Sequence, residues 1–368
     1  MKKHWMNVLR VLVSAGALVF LFWRIGLGET LDVLRRADLR YLLAAFLLFV
    51  FSLGIRAYRW FVLLRGLDST IPFGRLLRLY FVGQFFSSFL PSQFGGDVVR
   101  ALELTQDTDS PAPIKRISVA ASASIKKVSV AASAPIKRIS VAASAPIKRI
   151  SVAASAPIKR ISVAASASIG TVLLDRMTGL LVLFMMGLVV LPFNAARMEP
   201  WLVWLLLGVA GGGLVAGGLV LEGKLLRRLT RWLPPALSLA GSGPLAQVYA
   251  AVTGCGRRAV LNAFSVSVVF NLVNVLINWL CGRAVGAGVG LSYFFVATPL
   301  LAVSGLIPSI GGWGVREAVS TAIFTPAGAG GNVAAALGMA LGGVTLAAGL
   351  VGGVIYGIEG LRGLRERA

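Results

Sequence analysis

Histidine is all but missing from this chain, and acidic residues are scarce. The one histidine, His4, lies in the N-terminal tail, and the two cysteines, Cys255 and Cys281, have neither metal nor redox spacing. These shortages exclude a zinc site and histidine-based acid–base catalysis, so neither a metal nor a cofactor is expected. Charged residues make up only 14% of the chain against 57% hydrophobic, and the mean hydropathy is +0.83. Soluble domains run near ~45–50% apolar and ~25% charged. A soluble fold of this length needs far more polar surface, and the composition is that of a polytopic membrane protein.

What is present is basic charge and long apolar runs. The net charge is +22, but ten of the 36 basic residues lie between Lys115 and Arg160; the remaining 26 against 14 acids leave +12. Most of those flank apolar spans, where Lys and Arg face anionic headgroups. No basic motif is interleaved with aromatics, so no nucleic-acid partner is expected. Runs long enough to cross a bilayer fall at roughly 6–23, 39–64, 75–90, 169–193, 200–222, 258–281, 287–307 and 331–358. The first resembles a signal peptide but ends in Leu21-Phe22-Trp23-Arg24 without a small-x-small cleavage site, and it reads as a retained span.

The most informative feature is a motif that occurs twice. Pro91-Ser92-Gln93-Phe94-Gly95-Gly96-Asp97-Val98-Val99-Arg100 and Pro308-Ser309-Ile310-Gly311-Gly312-Trp313-Gly314-Val315-Arg316-Glu317 both run Pro-Ser, spacer, Gly-Gly, then Val-Arg. Paired Gly/Pro interruptions at corresponding places in two hydrophobic halves point to a transporter's binding site. The segments, about 91–105 and 309–326, are too short and glycine-rich to cross alone. Each is predicted to be a re-entrant turn followed by a short helix, buried in protein or facing a wet cavity. The predicted fold is therefore an all-α integral membrane protein, one polytopic domain over 1–368, with about eight transmembrane helices and two re-entrant Gly-Gly/Arg segments.

Two stretches depart from that plan. Residues 113–168 repeat with a period of 11, as in Ile114-Lys115-Arg116-Ile117-Ser118-Val119-Ala120-Ala121-Ser122. Eleven residues make three helical turns, but Pro113, Pro135, Pro146 and Pro157 interrupt every period, so an exposed, irregular insertion is expected. Residues 223–257 carry Lys224, Arg227, Arg228 and Arg231 among leucines, which fits either an amphipathic interfacial helix or a basic loop. Alternating spans from a cytoplasmic N-terminus place this cluster on the opposite side, against the positive-inside rule. Either a re-entrant segment crosses after all or the N-terminus lies outside.

Arg78-Leu79-Tyr80-Phe81-Val82-Gly83-Gln84-Phe85-Phe86 leading into Leu90-Pro91 and Gly95 through Arg100 resembles the lysylphosphatidylglycerol synthase transmembrane (flippase-like) family. Arg56-Ala57-Tyr58-Arg59-Trp60, Leu174-Asp175-Arg176, Pro308 through Glu317 and the glycine- and alanine-rich last span agree with it. The resemblance implies a multi-pass protein of the bacterial or archaeal cytoplasmic (inner) membrane whose relatives move lipids between leaflets. In bifunctional relatives the domain precedes a soluble aminoacyl-transferase. This chain stops at Ala368, about ten residues past the last span, and is expected not to be an enzyme itself.

The expected activity is therefore that of a flippase or transporter of an anionic or glycosylated lipid. No Walker motif is present, which leaves an ion gradient, the membrane potential or the lipid gradient to drive it. The rival readings are a membrane-embedded partner of a separately encoded lipid-modifying enzyme and a transferase component of headgroup modification. Ionisable residues in spans cost ~2.5–3.5 kcal/mol and mark pathways or buried pairs. Arg100 and Arg316, with Gly95, Gly96, Gly311 and Gly312 presenting helix N-termini, are the candidate headgroup ligands, because a guanidinium fork grips phosphate bidentately. Asp97, Glu317, Asp175 and Arg176 are candidates for ion pairing or proton coupling; the purely structural alternative pairs Asp97 with Arg100 or Arg316 and Glu317 with Arg176. Ser267, Asn271, Asn274 and Asn278 share one helical face, either as a polar path or as interhelical hydrogen bonds. Arg56, Arg59 and Trp60 read as an interfacial, snorkelling cluster.

Overall fold

The computed structural model describes residues 27–67, 69–89, 95–106, 145–222, 249, 254–305, 307, 309 and 311–365. Among them every regular element is helical: α1 Leu27–Arg35, α2 Leu39–Arg65, α3 Phe73–Phe89, α4 Gly95–Gln106, α5 Ala145–Val190, α6 Pro200–Glu222, α7 Arg257–Ala284, α8 Leu291–Ser304, α9 Val315–Phe324 and α10 Gly331–Arg365, with two single 3-10 turns between α5 and α6. This is the all-α membrane architecture that the apolar runs predict.

Five stretches are long and apolar enough to cross a bilayer: Leu39–Arg65, Ser168–Phe193, Pro200–Gly218, Arg257–Ala284 and Gly331–Ile358. The predicted count of eight is not reached among the described residues. The 6–23 span lies outside them, α3 has 17 residues and α8 only 14. At ~1.5 Å per residue α8 spans ~21 Å, short of a ~30 Å hydrocarbon core. Pro299 inside it and Gly305 at its end account for the short length of an otherwise apolar run. The motif segments form the two shortest helices after α1, α4 with 12 residues and α9 with 10, as predicted for broken, re-entrant pieces.

The repeat needs a correction. Its last units, from Ala145, are helical and run without a break into the span ending at Val190. Pro146 falls in the first turn, where its missing N–H costs no intrahelical bond, and Pro157 forfeits only one bond in a long alanine-rich helix. Residues 107–144 lie outside the described residues, as do 223–248 and 250–253, which include most of the basic segment.

Packing divides the helices by face. On α2, Ala45, Leu53, Ala57, Trp60 and Leu64 point inward, while Leu39, Leu43, Leu47 and Phe51, spaced by four, form an outward apolar stripe fit for acyl chains. α7 lies along α2, and α10 runs between α3 and α9. Small residues make that last contact possible: a Cβ at Gly352 would stand 1.9 Å from the Phe81 carbonyl oxygen, and one at Gly338 would stand 2.8 Å from the Glu317 Cα. Helices in lipid associate through such close backbone approach, since lipid is as apolar as leucine. Gly352→Ala is therefore expected to force α3 and α10 apart and lower stability in detergent by ~1–3 kcal/mol. Gly357→Ala, where a Cβ meets nothing within 4 Å, should leave the melting curve unchanged. Equal melting of the two variants would refute this account of the seam.

Candidate functional site

The charged residues of α2, α4 and α5 converge in the interior. Arg59, 3% exposed, donates from Nε to Asp175 Oδ1 at 2.6 Å and from a terminal nitrogen to Ser267 Oγ at 3.0 Å. The second Asp175 oxygen accepts from the Tyr80 hydroxyl. Asp97 pairs through one oxygen with Arg100 and through the other with Arg176. The Arg100 guanidinium lies 3.9 Å from the Tyr80 ring centroid, and Arg56 faces the same ring at 5.3 Å. α4 can approach α3 so closely because Gly96 has no side chain: a Cβ there would sit 1.9 Å from the Gly83 carbonyl oxygen. The Gly95-Gly96 pair thus serves the crossing of α4 over α3, which seats Arg100 against Tyr80.

The second motif is built differently. Gly311, Gly312 and Gly314 adopt φ of 59°, 82° and 82°, left-handed values that favour glycine, and they turn the chain into α9. Glu317, fully buried, accepts the Gly314 N–H through Oε2 at 2.5 Å and so caps its own helix. Arg316 turns the other way and donates to the Gly311 carbonyl at 3.0 Å.

Between the two halves lies a cavity of about 210 Å³. Its polar lining comprises Arg56, Gln84, Ser87, Ser88, Arg176, Asn274, Asn278, Thr298, Arg316 and Thr345, with Gly311 at its wall; among the described residues three arginines line it and no carboxylate does. Gly311 of the second motif is pressed against the end of α3, where a Cβ would stand 2.5 Å from the Ser88 carbonyl oxygen. Pro91 to Phe94 themselves lie outside the described residues.

Several expectations change. Of Asp97, Arg100, Arg316 and Glu317, only Arg316 lines the cavity. Arg100 is withdrawn into the ion-pair cluster because Tyr80 and Asp97 take its stacking face and its charge. Among the described residues no acid–arginine contact joins the two motifs; Asp97 already holds two arginines and Glu317 is committed to its cap. The pairings of Asp97 with Arg316 and of Glu317 with Arg176 are therefore replaced, while Asp97 with Arg100 is present. The Ser267–Asn278 face splits in two. Ser267 receives Arg59 and Asn271 donates to the Gly179 carbonyl at 2.9 Å, both structural, whereas Asn274 and Asn278 reach the cavity. Arg56 and Arg59 are not snorkelling, for one lines the cavity and the other is an interior ion pair. Arg59 stands six residues before the end of α2, ~9 Å inside it at ~1.5 Å per residue, a depth that was legible from span length.

The family described as "Lysylphosphatidylglycerol synthase TM region" matches residues 7–136 and 151–353. The chain belongs to this family. The internal stretch that the match leaves out, 137–150, falls inside the 11-residue repeat. Both motif segments, the ion-pair cluster and the cavity wall lie within the part shared with the lysylphosphatidylglycerol synthase TM region. A UPF0104 membrane protein of Pyrococcus horikoshii, PH1989, is 29% identical over 103 residues, 28% of this chain and 30% of that relative. The chain thus covers less than a third of the length of that curated relative. No solved structure matches. Family and helices together make the chain a multi-pass membrane protein.

Proposed function

We propose that this protein moves a lipid with an anionic headgroup between the leaflets of a bacterial or archaeal cytoplasmic membrane, and that the headgroup passes through the arginine-lined cavity. The observation that carries the reading is the cavity's charge. Among the described residues Arg56, Arg176 and Arg316 line it and no carboxylate does, and the buried carboxylates are already engaged, Asp97 and Asp175 by arginines and Glu317 by its own helix cap. A guanidinium in a membrane interior carries a solvation cost that a phosphate repays with charge-assisted, bidentate hydrogen bonds. Asn274, Asn278, Gln84 and Thr298 add neutral donors and acceptors suited to headgroup hydroxyls.

A separately encoded lipid-modifying enzyme is the natural supplier or consumer of such a lipid. The test is leaflet exchange in proteoliposomes with fluorescent anionic, glycosylated and zwitterionic lipids, read by quenching of the outer leaflet. Anionic or glycosylated lipids should exchange several-fold faster than zwitterionic ones. Indifference to headgroup, or rates equal to protein-free vesicles, would remove the transport reading; chemical change of a labelled lipid by the purified chain would favour the transferase instead.

A further inference from the structure

Among the described residues three carboxyls are buried in the interior, and they are not equivalent. Both oxygens of Asp175 are engaged, by Arg59 and Tyr80, and both oxygens of Asp97 face arginines. Glu317 differs. It is 0% exposed, its Oε2 takes the Gly314 N–H, and its Oε1 has no hydrogen-bond partner and no ion-pair partner among the described residues. Ser320, one turn further on the same face and also 0% exposed, has an unpartnered Oγ. Both press on Gly338 of α10, where a Cβ would lie 3.1 Å from that Oγ.

We infer that Glu317 is a proton-binding site, and that its proton is coupled to an anion held at Arg316. A buried carboxylate with one hydrogen bond and no cation is costly, whereas the neutral acid keeps the Gly314 bond without burying a charge. The nearest cation is turned away: Arg316 adjoins Glu317 in sequence but spends one terminal nitrogen on the Gly311 carbonyl, while the other, buried and without a hydrogen bond among the described residues, packs against Gly342 of α10, and the side chain as a whole lines the cavity. The remaining titratable groups do not substitute for it. Tyr293 of α8 is tied to the Ile323 carbonyl at 2.7 Å, Cys281 of α7 lies beside Arg316, and α10 carries no ionisable residue before Tyr356.

The coupling follows from Coulomb's law. With the cavity empty, the charge on Arg316 favours ionised Glu317; an anion at Arg316 cancels that charge and favours the protonated acid. By linkage the anion then binds more tightly as pH falls, so proton and anion travel together. This inference rests on the anionic cavity proposed above, and its test separates the two.

The full chain in dodecyl maltoside is followed by infrared difference spectroscopy near neutral pH, with short-chain phosphatidylglycerol and, separately, inorganic phosphate added. A protonated-carboxyl band should grow on adding anion and be lost in Glu317→Gln. If that variant does not fold, Glu317→Asp and Ser320→Ala should each shift the band's frequency. A band unaffected by any of these variants, or unaffected by both anions, overturns the inference. Growth with phosphate but not with phosphatidylglycerol upholds the proton site and removes the lipid reading. Binding of phosphatidylglycerol without a band upholds the lipid reading and removes the proton site.

Discussion

Asp175→Ala will yield little or no folded protein, and what survives extraction will melt far below the parent chain. Asp175 is 2% exposed and joins three helices: it accepts Arg59 from α2 and Tyr80 from α3 while standing on α5. Removing it strands the Arg59 guanidinium, 3% exposed, with only Ser267 as a hydrogen-bond partner. Breaking one side of a buried pair costs ~3–5 kcal/mol because the other charge stays uncompensated, a large part of the ~5–15 kcal/mol that holds a typical domain together. Asp175→Asn should fall between, since an amide oxygen still accepts from Tyr80 but cancels no charge. Asp32→Ala is the control: its pair with Arg35 at 3.3 Å is exposed on both sides and its loss should not register. Monodispersity and thermal unfolding in detergent read all three. If Asp175→Ala melts like Asp32→Ala, the interior network is not what fixes α5 against α2 and α3.

The same residue shows how far the chain could be read without coordinates. Spans announce themselves by apolar length, and the doubled Gly-Gly/Arg motif announces two broken helices, because both signals are local. Partnership is not local. Asp175 lies 116 positions from Arg59 and 95 from Tyr80, and nothing in the spacing says which of five arginines an aspartate will meet. Hence Arg100, conspicuous in its motif, reads as a headgroup ligand, whereas the arginines that line the cavity are Arg56, Arg176 and Arg316. The polar face of α7 was legible as a face but not as two functions, since what divides it is the neighbour: α5 and Arg59 behind Ser267 and Asn271, open space before Asn274 and Asn278.

Lysine substitutions at the two motif arginines will separate structure from transport. Arg100→Lys should damage folding first. Its guanidinium lies over Tyr80 at 3.9 Å and faces Trp60 at 5.3 Å while pairing with Asp97, and an ammonium on a flexible stem supplies the charge but neither the plane nor the fork. Arg316→Lys should fold. Its hydrogen bond goes to the Gly311 carbonyl of its own turn, and its other terminal nitrogen packs against Gly342 of α10, where a lysine brings no added bulk. Transport is where that variant should fail, because one charge-assisted hydrogen bond to a passing phosphate, ~1.5 kcal/mol or more, corresponds to about a tenfold slower exchange. The measurement is exchange of fluorescent phosphatidylglycerol in vesicles loaded with equal amounts of folded variant. Slow exchange for Arg316→Lys at full stability, beside poor folding for Arg100→Lys, is the pattern that the cavity requires. The reverse pattern, with Arg100→Lys stable but inactive and Arg316→Lys transporting normally, would move the headgroup path out of this cavity and onto the first motif.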